Sequence, residues 1–367
     1  MMNKHVYFFI GTTAELIKLA PVIKEAQKRK IKYKIISSGQ GELLKGEFSG
    51  YLRNFEVNIA FPKKSKKSSV LMFAFWALRT LIYSYFSLRK EFKDLNKENS
   101  LFIVHGDTIS SLIGAVIASA YGLKLVHVES GLRSFNFLEP FPEELSRYII
   151  SQLAEIHFCP NEWSLNNLNN TKGVKINTLN NTLIETFYWA MNRKEKLNKT
   201  YKPRGKYFVL IMHRQEHVIF GKKISAQIIK LILKDSKRNL SCVLMTYATS
   251  LNFLNAYGLN LRQTGRNVFL TPRQSYEDFM KLLSNAEYIC TDGGSNQEEL
   301  YYMGKPCLLL RRFTERKEGL GKNVVLSKLN EKVIEDFLTN YKKYKRDSVH
   351  FRTRPSKIIL NYLVNGY

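Results

Sequence analysis

The chain has 367 residues, more than one hydrophobic core usually serves, so we expect two domains of roughly 150 to 180 residues each. Its four cysteines are spread singly with no Cys-x-x-Cys pair, which argues against a structural zinc site and for reduced thiols in a cytoplasmic protein. The 57 basic residues outnumber the 31 acidic ones and give a net charge of +26, so the chain requires an anionic partner: nucleic acid, an anionic membrane or a phosphorylated substrate.

The apolar stretches predict a parallel α/β protein. Short β-branched runs alternate with amphipathic helical stretches along most of the chain, which is typical of parallel sheets covered by helices. The predicted strands are Val6–Ile10, Tyr33–Ser37, Leu101–Val104, Leu125–Val128, Tyr207–Met212, Cys242–Thr246 and Tyr288–Asp292. The first strand is too short for a secretory signal and leads directly into Gly11, so we expect a cytoplasmic location.

Sequence rich in Asn, Lys, Gly and Pro between residues 170 and 205 predicts a linker between two Rossmann-like domains that face a central cleft. We place the first domain in residues 1–170 and the second in residues 171–344. Closing helices in residues 345–367 are expected to pack back on the first domain. Functional groups in such sheets lie at the carboxyl ends of strands, so motifs that follow the predicted strands are the candidates for a site.

The first such motif is Gly11-Thr-Thr-Ala-Glu-Leu-Ile-Lys18, after the first strand. Its glycine turn, its threonine and Lys18 could face a diphosphate. The same motif could equally be an ordinary helix start, with Glu15 in the first turn and Lys18 exposed.

Three carboxylates of the first half lie where a strand ends or a helix begins. Asp107 follows one predicted strand, and Glu129 opens the segment Glu129-Ser-Gly-Leu-Arg133 after the next. An acid at the end of a buried strand is costly without a partner, so we expect neighbouring site carboxylates here. Glu143, in Pro140-Phe-Pro-Glu-Glu144, starts a predicted helix, where an acid can also be only a partner of the helix dipole.

Two motifs of the second half also follow predicted strands. His213 precedes Arg214, which makes it a candidate for contact with a diphosphate or a proton. The turn Gly293-Gly294-Ser295 joins an apolar run to a helix, where backbone N–H groups can hold a phosphate. A diglycine is also ordinary turn chemistry.

The ordered motifs GTxxExIK, HGDT, HVESGLR, PFPEE, HRxE, TDGGxxQEE and TERxE resemble the non-hydrolysing UDP-N-acetylglucosamine 2-epimerase family over roughly residues 5 to 325. The resemblance implies a GT-B-like fold, with UDP bound chiefly by the second domain. It implies a reaction in which UDP leaves as the C2 proton is removed and then adds back to the glycal, without metal or nicotinamide cofactor. The residues it implies for proton transfer are Asp107, Glu129, Glu143 and His213. Those it implies for UDP and substrate binding are Lys18, Arg133, Arg214, Phe279, Gly293, Gly294, Ser295, Glu299 and Arg316.

Among these, the resemblance assigns Phe279 to the uracil and Glu299 to the ribose hydroxyls. Taken alone, Phe279 would more often be a core aromatic of an amphipathic helix, and its position 14 residues before Gly293, which matches the family, favours the uracil contact. Three departures from the family pattern concern ligand binding. The family's Arg-Pro is Thr13-Ala14 here, its Ser-Gly-Gly turn is Gly293-Gly294-Ser295, and its TGQH-like segment, linked in some members to an activating second UDP-sugar, is Ser38-Gly-Gln-Gly-Glu42.

Residues 63–90 combine basic and apolar sequence. Lysines in Pro62–Lys67 precede the apolar run Val70–Phe86, which is interrupted by Arg79 and followed by Arg89 and Lys90. We find no clean 20-residue apolar span and so do not predict a transmembrane helix. Two interpretations stay open: a helix lying on an anionic membrane, or a helix of a homodimer interface formed by the first domain, as the family resemblance implies.

The membrane interpretation favours an alternative function, a GT-B glycosyltransferase at the inner face of the membrane that moves a sugar from a UDP-sugar to a lipid-linked or polysaccharide acceptor. Nucleic acid is not an expected partner, because the basic residues are dispersed and no zinc module or RNP-like segment occurs. The preferred prediction is an enzyme that inverts C2 of a UDP-N-acetylhexosamine, converting UDP-N-acetylglucosamine to its manno epimer for cell-envelope or capsule polysaccharide synthesis.

Overall fold

The computed structural model describes residues 4–41, 43, 50–52, 55–64, 70–137, 140–193, 203, 205–212, 222–235, 240–246 and 267–366. The chain folds as two compact units, Met1–Thr186 with Arg352–Tyr367, and Phe187–Phe351. Each unit is built on one parallel β-sheet with helices between its strands. The predicted fold class, α/β with two Rossmann-like domains, is confirmed.

The sheet of the first unit has seven strands in the order β3-β2-β1-β4-β5-β6-β7, all paired in parallel. The strands are β1 (His5–Ile10), β2 (Tyr33–Ser37), β3 (Ile59–Ala60), β4 (Ser100–His105), β5 (Lys124–Val128), β6 (Ile156–Cys159) and β7 (Val174–Asn177). The helices that begin in this unit are α1 (Thr13–Lys28), α2 (Val70–Phe92), α3 (Ile109–Tyr121), α4 (Glu143–Leu153), α5 (Glu162–Asn166) and α6 (Leu183–Asn192), with a short 3-10 turn at Lys97–Asn99.

The second unit has a six-stranded parallel sheet in the order β10-β9-β8-β11-β12-β13. Its strands are β8 (Tyr207–Ile211), β9 (Ser241–Thr246), β10 (Val268–Pro272), β11 (Ile289–Thr291), β12 (Cys307–Leu309) and β13 (Val324–Leu326). Its helices are α7 (Lys222–Asp235), α8 (Tyr276–Asn285), α9 (Gly294–Met303) and α10 (Glu331–Asn340), followed by a 3-10 turn at Tyr341–Tyr344. The last helix, α11 (Pro355–Asn365), belongs to the first unit, where the Lys4 ammonium donates to the carbonyl of Leu363.

The central strands are apolar along almost their whole length because a parallel sheet is covered on both faces. Phe8 and Phe9 point to opposite faces of β1, and both are fully buried. Phe102 of β4 and Leu88 of α2 belong to the same core as Phe9. The four cysteines, Cys159, Cys242, Cys290 and Cys307, are free and buried.

The prediction of a linker in residues 170–205 is wrong for part of this range, which contains a strand and the start of a helix. β7 pairs with β6 from Val174 to Asn177, and α6 begins at Leu183. β7 is an edge strand with incompletely buried side chains, so its polar composition is compatible with a strand. The first unit therefore continues to Thr186, whose hydroxyl donates to the carbonyl of Ile17.

Both sheets reverse their strand order once. β1 lies between β2 and β4 in the first sheet, and β8 lies between β9 and β11 in the second. Ligands of open α/β sheets bind beyond the carboxyl ends of strands at such a reversal. The segments that follow β1, β4, β8 and β11 are therefore those that position a site.

Candidate active site

Glu129 lies directly after β5 and is held by two side chains from other parts of the first unit. Its side chain is buried, and it accepts a hydrogen bond from the Lys18 ammonium at 2.6 Å and another from the amide of Asn181. His105 Nε2 lies 4.0 Å from the same carboxylate oxygen. The positive charge of Lys18 offsets the cost of burying the carboxylate, which is the partner that an acid at the end of a buried strand needs.

The backbone of Glu129 has φ +64°, a left-handed conformation that costs free energy for a residue with a Cβ. Gly106 faces it, because a Cβ built on Gly106 would lie 3.3 Å from Glu129 Oε1. Such strained positions cluster at functional sites, where the surroundings hold a side chain in one orientation. The carboxylate of Glu129 therefore lies beside Gly106, which follows β4.

The side chain of Glu15, in the first turn of α1, fills the turn after β1. Glu15 accepts from the backbone N–H groups of Gly11 and Thr12, at 2.9 and 2.6 Å, and from the hydroxyls of Thr108 and Ser111, each at 2.7 Å. Burial raises the pKa of Glu15, and these hydrogen bonds oppose the shift. Because Glu15 accepts from these N–H groups, the interpretation of this motif as a helix start is right for Glu15. The same interpretation expected Lys18 to be exposed, and this part is wrong because Lys18 is buried.

Asp107 follows β4, and its carboxylate pairs with the buried guanidinium of Arg147. The same guanidinium donates to Glu144 at 2.8 Å, so one arginine of α4 holds two carboxylates. Glu143, the first residue of α4, is half-buried, whereas Glu144 is fully buried and also accepts from the N–H of Ser134 at 2.9 Å. The structure thus places Glu143 at the less enclosed position of the pair.

Arg133, a predicted substrate ligand, is buried against α4. Its guanidinium donates to the hydroxyl of Ser151 at 2.8 Å and lies 4.0 Å from Glu144 and 5.8 Å from the centre of the Tyr148 ring. Burial lowers the pKa of Arg133, and the charge of Glu144 opposes the shift. These contacts of Arg133 hold the loop after β5 against α4. Because Glu129 begins this loop, the same contacts help to position Glu129.

In the second unit, Gly293 caps α9 without a side-chain hydrogen bond to the helix. The N–H of Gly293 donates to the hydroxyl of Thr291 at 3.0 Å. A Cβ built on Gly294 would lie 2.9 Å from Glu315 Oε1 and 3.1 Å from Arg316 Nε. This close approach favours glycine, since a Cβ would displace the ends of two side chains, and it brings a helix N-terminus, a carboxylate and a guanidinium together.

Arg316 is fixed by Glu298, whose carboxylate lies 2.8 Å from the guanidinium, and Arg311 pairs with Glu315 at 2.9 Å. Gln297 ties the same segment to α9, because its amide donates to the carbonyls of Arg316 and Glu318. The TERxE motif is therefore anchored on the helix that begins at the diglycine turn.

Glu299 and Phe279 lie on the two helices that flank β11. Glu299 is buried and accepts from the amide of Asn296 at 2.9 Å. Burial, and next the charge of Glu299, raise the pKa of Tyr276 well above its usual value. On α8, Tyr276 and Met280 are buried and Phe279 is only partly buried, so Phe279 is not one of the core residues of that helix.

His213 and Arg214 lie outside the described residues, directly after β8. Four other residues of the site were not selected from the sequence: Asn181 and His105 beside Glu129, Glu144 beside Arg147, and Glu315 beside Gly294. His105 is the last residue of β4, so the rule on strand ends could have found it. Asn181 carried no such signal, because it belongs to an asparagine-rich stretch.

The chain has two parallel α/β units. One carries buried carboxylates after its central strands, and the other carries a diglycine helix N-terminus beside an arginine. This combination defines a sugar-nucleotide enzyme of the GT-B-like class. A sequence model of the UDP-N-acetylglucosamine 2-epimerase family matches residues 79–355, and the chain belongs to this family.

Individual relatives cover almost the whole chain. A UDP-N-acetylglucosamine 2-epimerase from Campylobacter jejuni is 27% identical over 401 aligned residues, which cover 100% of this chain and 98% of that protein. The crystal structure of UDP-GlcNAc 2-epimerase from Neisseria meningitidis bound to UDP-GlcNAc is 26% identical with a TM-score of 0.80, covering 98% of this chain and 100% of that one. The epimerase from Methanocaldococcus jannaschii, in complex with UDP-GlcNAc and UDP, has the same fold, with a TM-score of 0.81 at 24% identity over 99% of this chain and 100% of that one. The predicted family and the isomerase class are confirmed, and the glycosyltransferase alternative is not favoured.

Proposed function

We propose that the chain interconverts UDP-N-acetylglucosamine and UDP-N-acetylmannosamine by eliminating UDP and adding it back. The observation that carries the proposal is the Glu129 carboxylate, which Lys18 and Asn181 hold in a strained backbone conformation at the end of β5. The Neisseria meningitidis relative, bound to UDP-GlcNAc, supports this sugar nucleotide as the substrate.

The first half-reaction is an elimination that needs a base and a stabilised leaving group. A carboxylate takes the proton from C2, the electron pair of that bond forms the C1–C2 double bond, and the electrons of the anomeric C1–O bond leave with UDP. Glu129 suits the proton transfer because Lys18, at 2.6 Å, and Asn181 hold its carboxylate in one position. The negative charge that develops on the diphosphate requires cations or N–H groups around it.

The second half-reaction adds UDP back to the glycal. A phosphate oxygen of UDP forms the bond to C1 while a proton is delivered to C2 on the face opposite to the one deprotonated. Two faces require at least two proton carriers, and we assign proton transfer to three carboxylates: Glu129, Asp107 and Glu143. Arg147 holds Asp107 in place, and Glu143 lies at the start of the helix that carries Arg147.

We assign the binding of UDP to the second unit. Its features for this task are the α9 N-terminus at Gly293-Gly294-Ser295 and the guanidinium of Arg316, which suit phosphate oxygens. Phe279 stays the predicted contact of the uracil, and Glu299 that of the ribose. His213 and Arg214 stay predicted contacts of the diphosphate, with a proton-transfer role of His213 left open.

Incubation of the purified chain with UDP-N-acetylglucosamine alone tests the proposal. Separation of the products by ion-exchange chromatography should show UDP-N-acetylmannosamine, and the same final ratio of the two epimers should be reached from either side. A chain that binds UDP but leaves the sugar nucleotide unchanged would contradict the proposal, because an epimerase needs no acceptor.

The predictions on partners and location are separate from the chemistry. A homodimer formed through the first unit, a cytoplasmic location at the inner face of the membrane and a supply of cell-envelope or capsule precursors stay predictions. The homodimer and the membrane both concern the exposed side of α2.

A further inference from the structure

Two buried histidines lie side by side in the sheet of the first unit. His127 of β5 and His157 of β6 are partners in the register of the two parallel strands, so their side chains point to the same face of the sheet. Both side chains are almost completely buried. Burying an imidazole costs free energy unless the ring is hydrogen-bonded, so the bonds of the two rings indicate what each histidine does.

His127 holds the turn after β4. Its Nε2 lies 2.8 Å from the carbonyl oxygen of Gly106, the residue between β4 and Asp107. Because a carbonyl only accepts, Nε2 carries the proton and donates it. The N–H of Gly106 donates to the carbonyl of Val128, the residue after His127, at 2.9 Å. Both backbone polar groups of Gly106 are therefore bound to β5, directly before Asp107.

His157 holds the turn after β5. Its Nε2 lies 3.0 Å from the carbonyl oxygen of Lys172, so Nε2 again carries the proton. Its Nδ1 lies 3.0 Å from the hydroxyl of Ser130, which donates to it. The N–H of Ser130 donates to the carbonyl of Phe158, the residue after His157, at 2.9 Å. Ser130 directly follows Glu129 and is therefore bound to β6 by its backbone and by its side chain.

The electrostatics of the two rings agree with these bonds. Burial is the largest cause that lowers the pKa of His127, to about 3, and it also lowers the pKa of His157. Both rings are therefore neutral at neutral pH. A neutral imidazole has one donor and one acceptor nitrogen, which gives His157 the acceptor that the hydroxyl of Ser130 needs.

The same arrangement thus occurs at two neighbouring strand ends. In each case the residue next to a carboxylate donates its N–H to the following strand and bonds to the imidazole of the histidine one position earlier on that strand. Glu129 in particular needs such support, because its left-handed backbone, with φ +64°, persists only where the surroundings hold it.

We propose that His127 and His157 are positioning residues of the proposed epimerase reaction. His127 fixes the turn that carries Asp107. His157, through Ser130, fixes the turn that carries Glu129. Each histidine acts through its turn and not on the substrate. The inference rests on the proposed function, from which it takes the two carboxylates, and it adds the groups that keep them at a constant separation.

Reciprocal amide substitutions test the proposal, because the two histidines hold their turns through different ring nitrogens. The amide nitrogen of glutamine can take the place of Nε2, and the amide oxygen of asparagine can take the place of Nδ1. At position 127, glutamine therefore keeps the donor to Gly106 and asparagine does not. At position 157, asparagine keeps the acceptor for Ser130 and glutamine does not.

We expect kcat with UDP-N-acetylglucosamine to fall about 10- to 100-fold in His127→Asn and in His157→Gln, because a misplacement of about 1 Å can cost 10²-fold. His127→Gln and His157→Asn should stay within a few-fold of the unchanged chain. UDP affinity, measured by calorimetry, should change little in all four variants, since UDP binding is assigned to the second unit. His5→Gln, at an exposed position of β1, is the control.

Ser130→Ala tests the link between His157 and Glu129 with both rings in place. It should lower kcat as much as His157→Gln does, and the double variant should lose no more than either single variant. Urea unfolding gives the folded fraction of each variant, so kcat can be expressed per folded molecule. Ser130→Ala keeps the proposal testable if a histidine variant does not fold.

The order of the two amides decides the outcome. If the same amide is preferred at both positions, or if the two amides are equal, side-chain size and not hydrogen bonding sets the rate, and the positioning role is wrong. A rise in KM at unchanged kcat would also overturn it. Those results leave an active unchanged chain and so do not touch the proposed function. An unchanged chain that binds UDP without epimerising the sugar would overturn the proposed function and the positioning role together.

Discussion

The ammonium of Lys18 lies 2.6 Å from the carboxylate of Glu129, and both side chains are more than nine-tenths buried. Lys18 is carried by α1, the helix after β1, and Glu129 follows β5, so the pair joins this helix to the end of β5. Within a low-dielectric interior each charge depends on the other, because an unpaired buried charge is costly. The pair therefore contributes both to the fold and to the proposed chemistry.

Replacing Glu129 by glutamine should remove turnover while leaving the affinity for UDP within a few-fold of the unchanged enzyme. The substitution keeps the size of the side chain but removes a proton acceptor, and general-base catalysis typically contributes 10²- to 10⁴-fold. Steady-state rates and UDP calorimetry measure the two quantities. Glu162→Gln, at an exposed position of the same unit, is the control. A large loss of UDP binding by Glu129→Gln would show that the residue does not act on the sugar ring.

Replacing Lys18 by methionine should destabilise the first unit by about 3–5 kcal/mol, because it leaves the Glu129 charge buried without its cation. Urea unfolding measures the change, and Lys28→Met at the exposed end of the same helix should cost less than about 0.5 kcal/mol. The double variant Lys18→Met with Glu129→Gln should recover part of the loss. If Lys18→Met and Lys28→Met have the same free energy of unfolding, the contact between Lys18 and Glu129 does not stabilise the first unit.

Replacing Gly294 by alanine should weaken UDP binding by about tenfold or more, ~1.4 kcal/mol, because the new Cβ would meet Glu315 Oε1 at 2.9 Å and Arg316 Nε at 3.1 Å. Gly321→Ala is a control in the same unit for backbone strain without a side-chain clash, since Gly321 has φ +72° but no described atom lies within 4 Å of its built Cβ. Calorimetry with UDP should leave the control close to the unchanged enzyme. If both variants bind UDP equally well, the diglycine turn is ordinary turn chemistry.

Acid should destabilise the first unit through His127. Burial, and next the charge of His157, lower the pKa of His127 to about 3 from an ordinary value of 6.5. Because the unfolded chain binds a proton that the folded chain does not, stability is complete above pH 6.5 and falls as the pH decreases from 6.5 towards 3. His127→Gln keeps an N–H that can donate to the carbonyl of Gly106, which accepts from Nε2 at 2.8 Å.

Between pH 7.5 and 5.5 the free energy of unfolding of the unchanged chain should therefore fall by about 1.4 kcal/mol more than that of His127→Gln. Chemical unfolding at the two pH values measures the difference. Parallel losses in both proteins would mean that other groups, such as His157, account for the acid sensitivity.

Local rules in the sequence predicted some of the residues that the structure brings together at the candidate site. Asp107 and Glu129 were found because an acid after a buried strand needs a partner, and the glycine turn was found from its place between strand and helix. The two sheets followed from the alternation of apolar runs. These signals depend on neighbours in the sequence, so they could be recognised without coordinates.

The remaining features depend on contacts between distant parts of the chain. Asn181 reaches Glu129 across 52 positions and Arg147 reaches Asp107 across 40, and neither distance leaves a local pattern. Glu144 and Glu143 are adjacent acids of one helix start, and only the packing of α4 decides which of them is buried. The strand β7 was missed because an edge strand tolerates polar residues.

The most direct test of the proposed mechanism is proton NMR of the enzyme with UDP-N-acetylglucosamine in deuterated water. Elimination and re-addition predict a new anomeric signal of the manno epimer, together with deuterium at C2, because the proton removed from C2 exchanges with solvent before another is delivered. If the manno epimer appears with its C2 proton retained, that result would contradict a mechanism that breaks the C2–H bond. If the sugar nucleotide stays unchanged and unlabelled although UDP binds measurably, that result would contradict epimerisation itself.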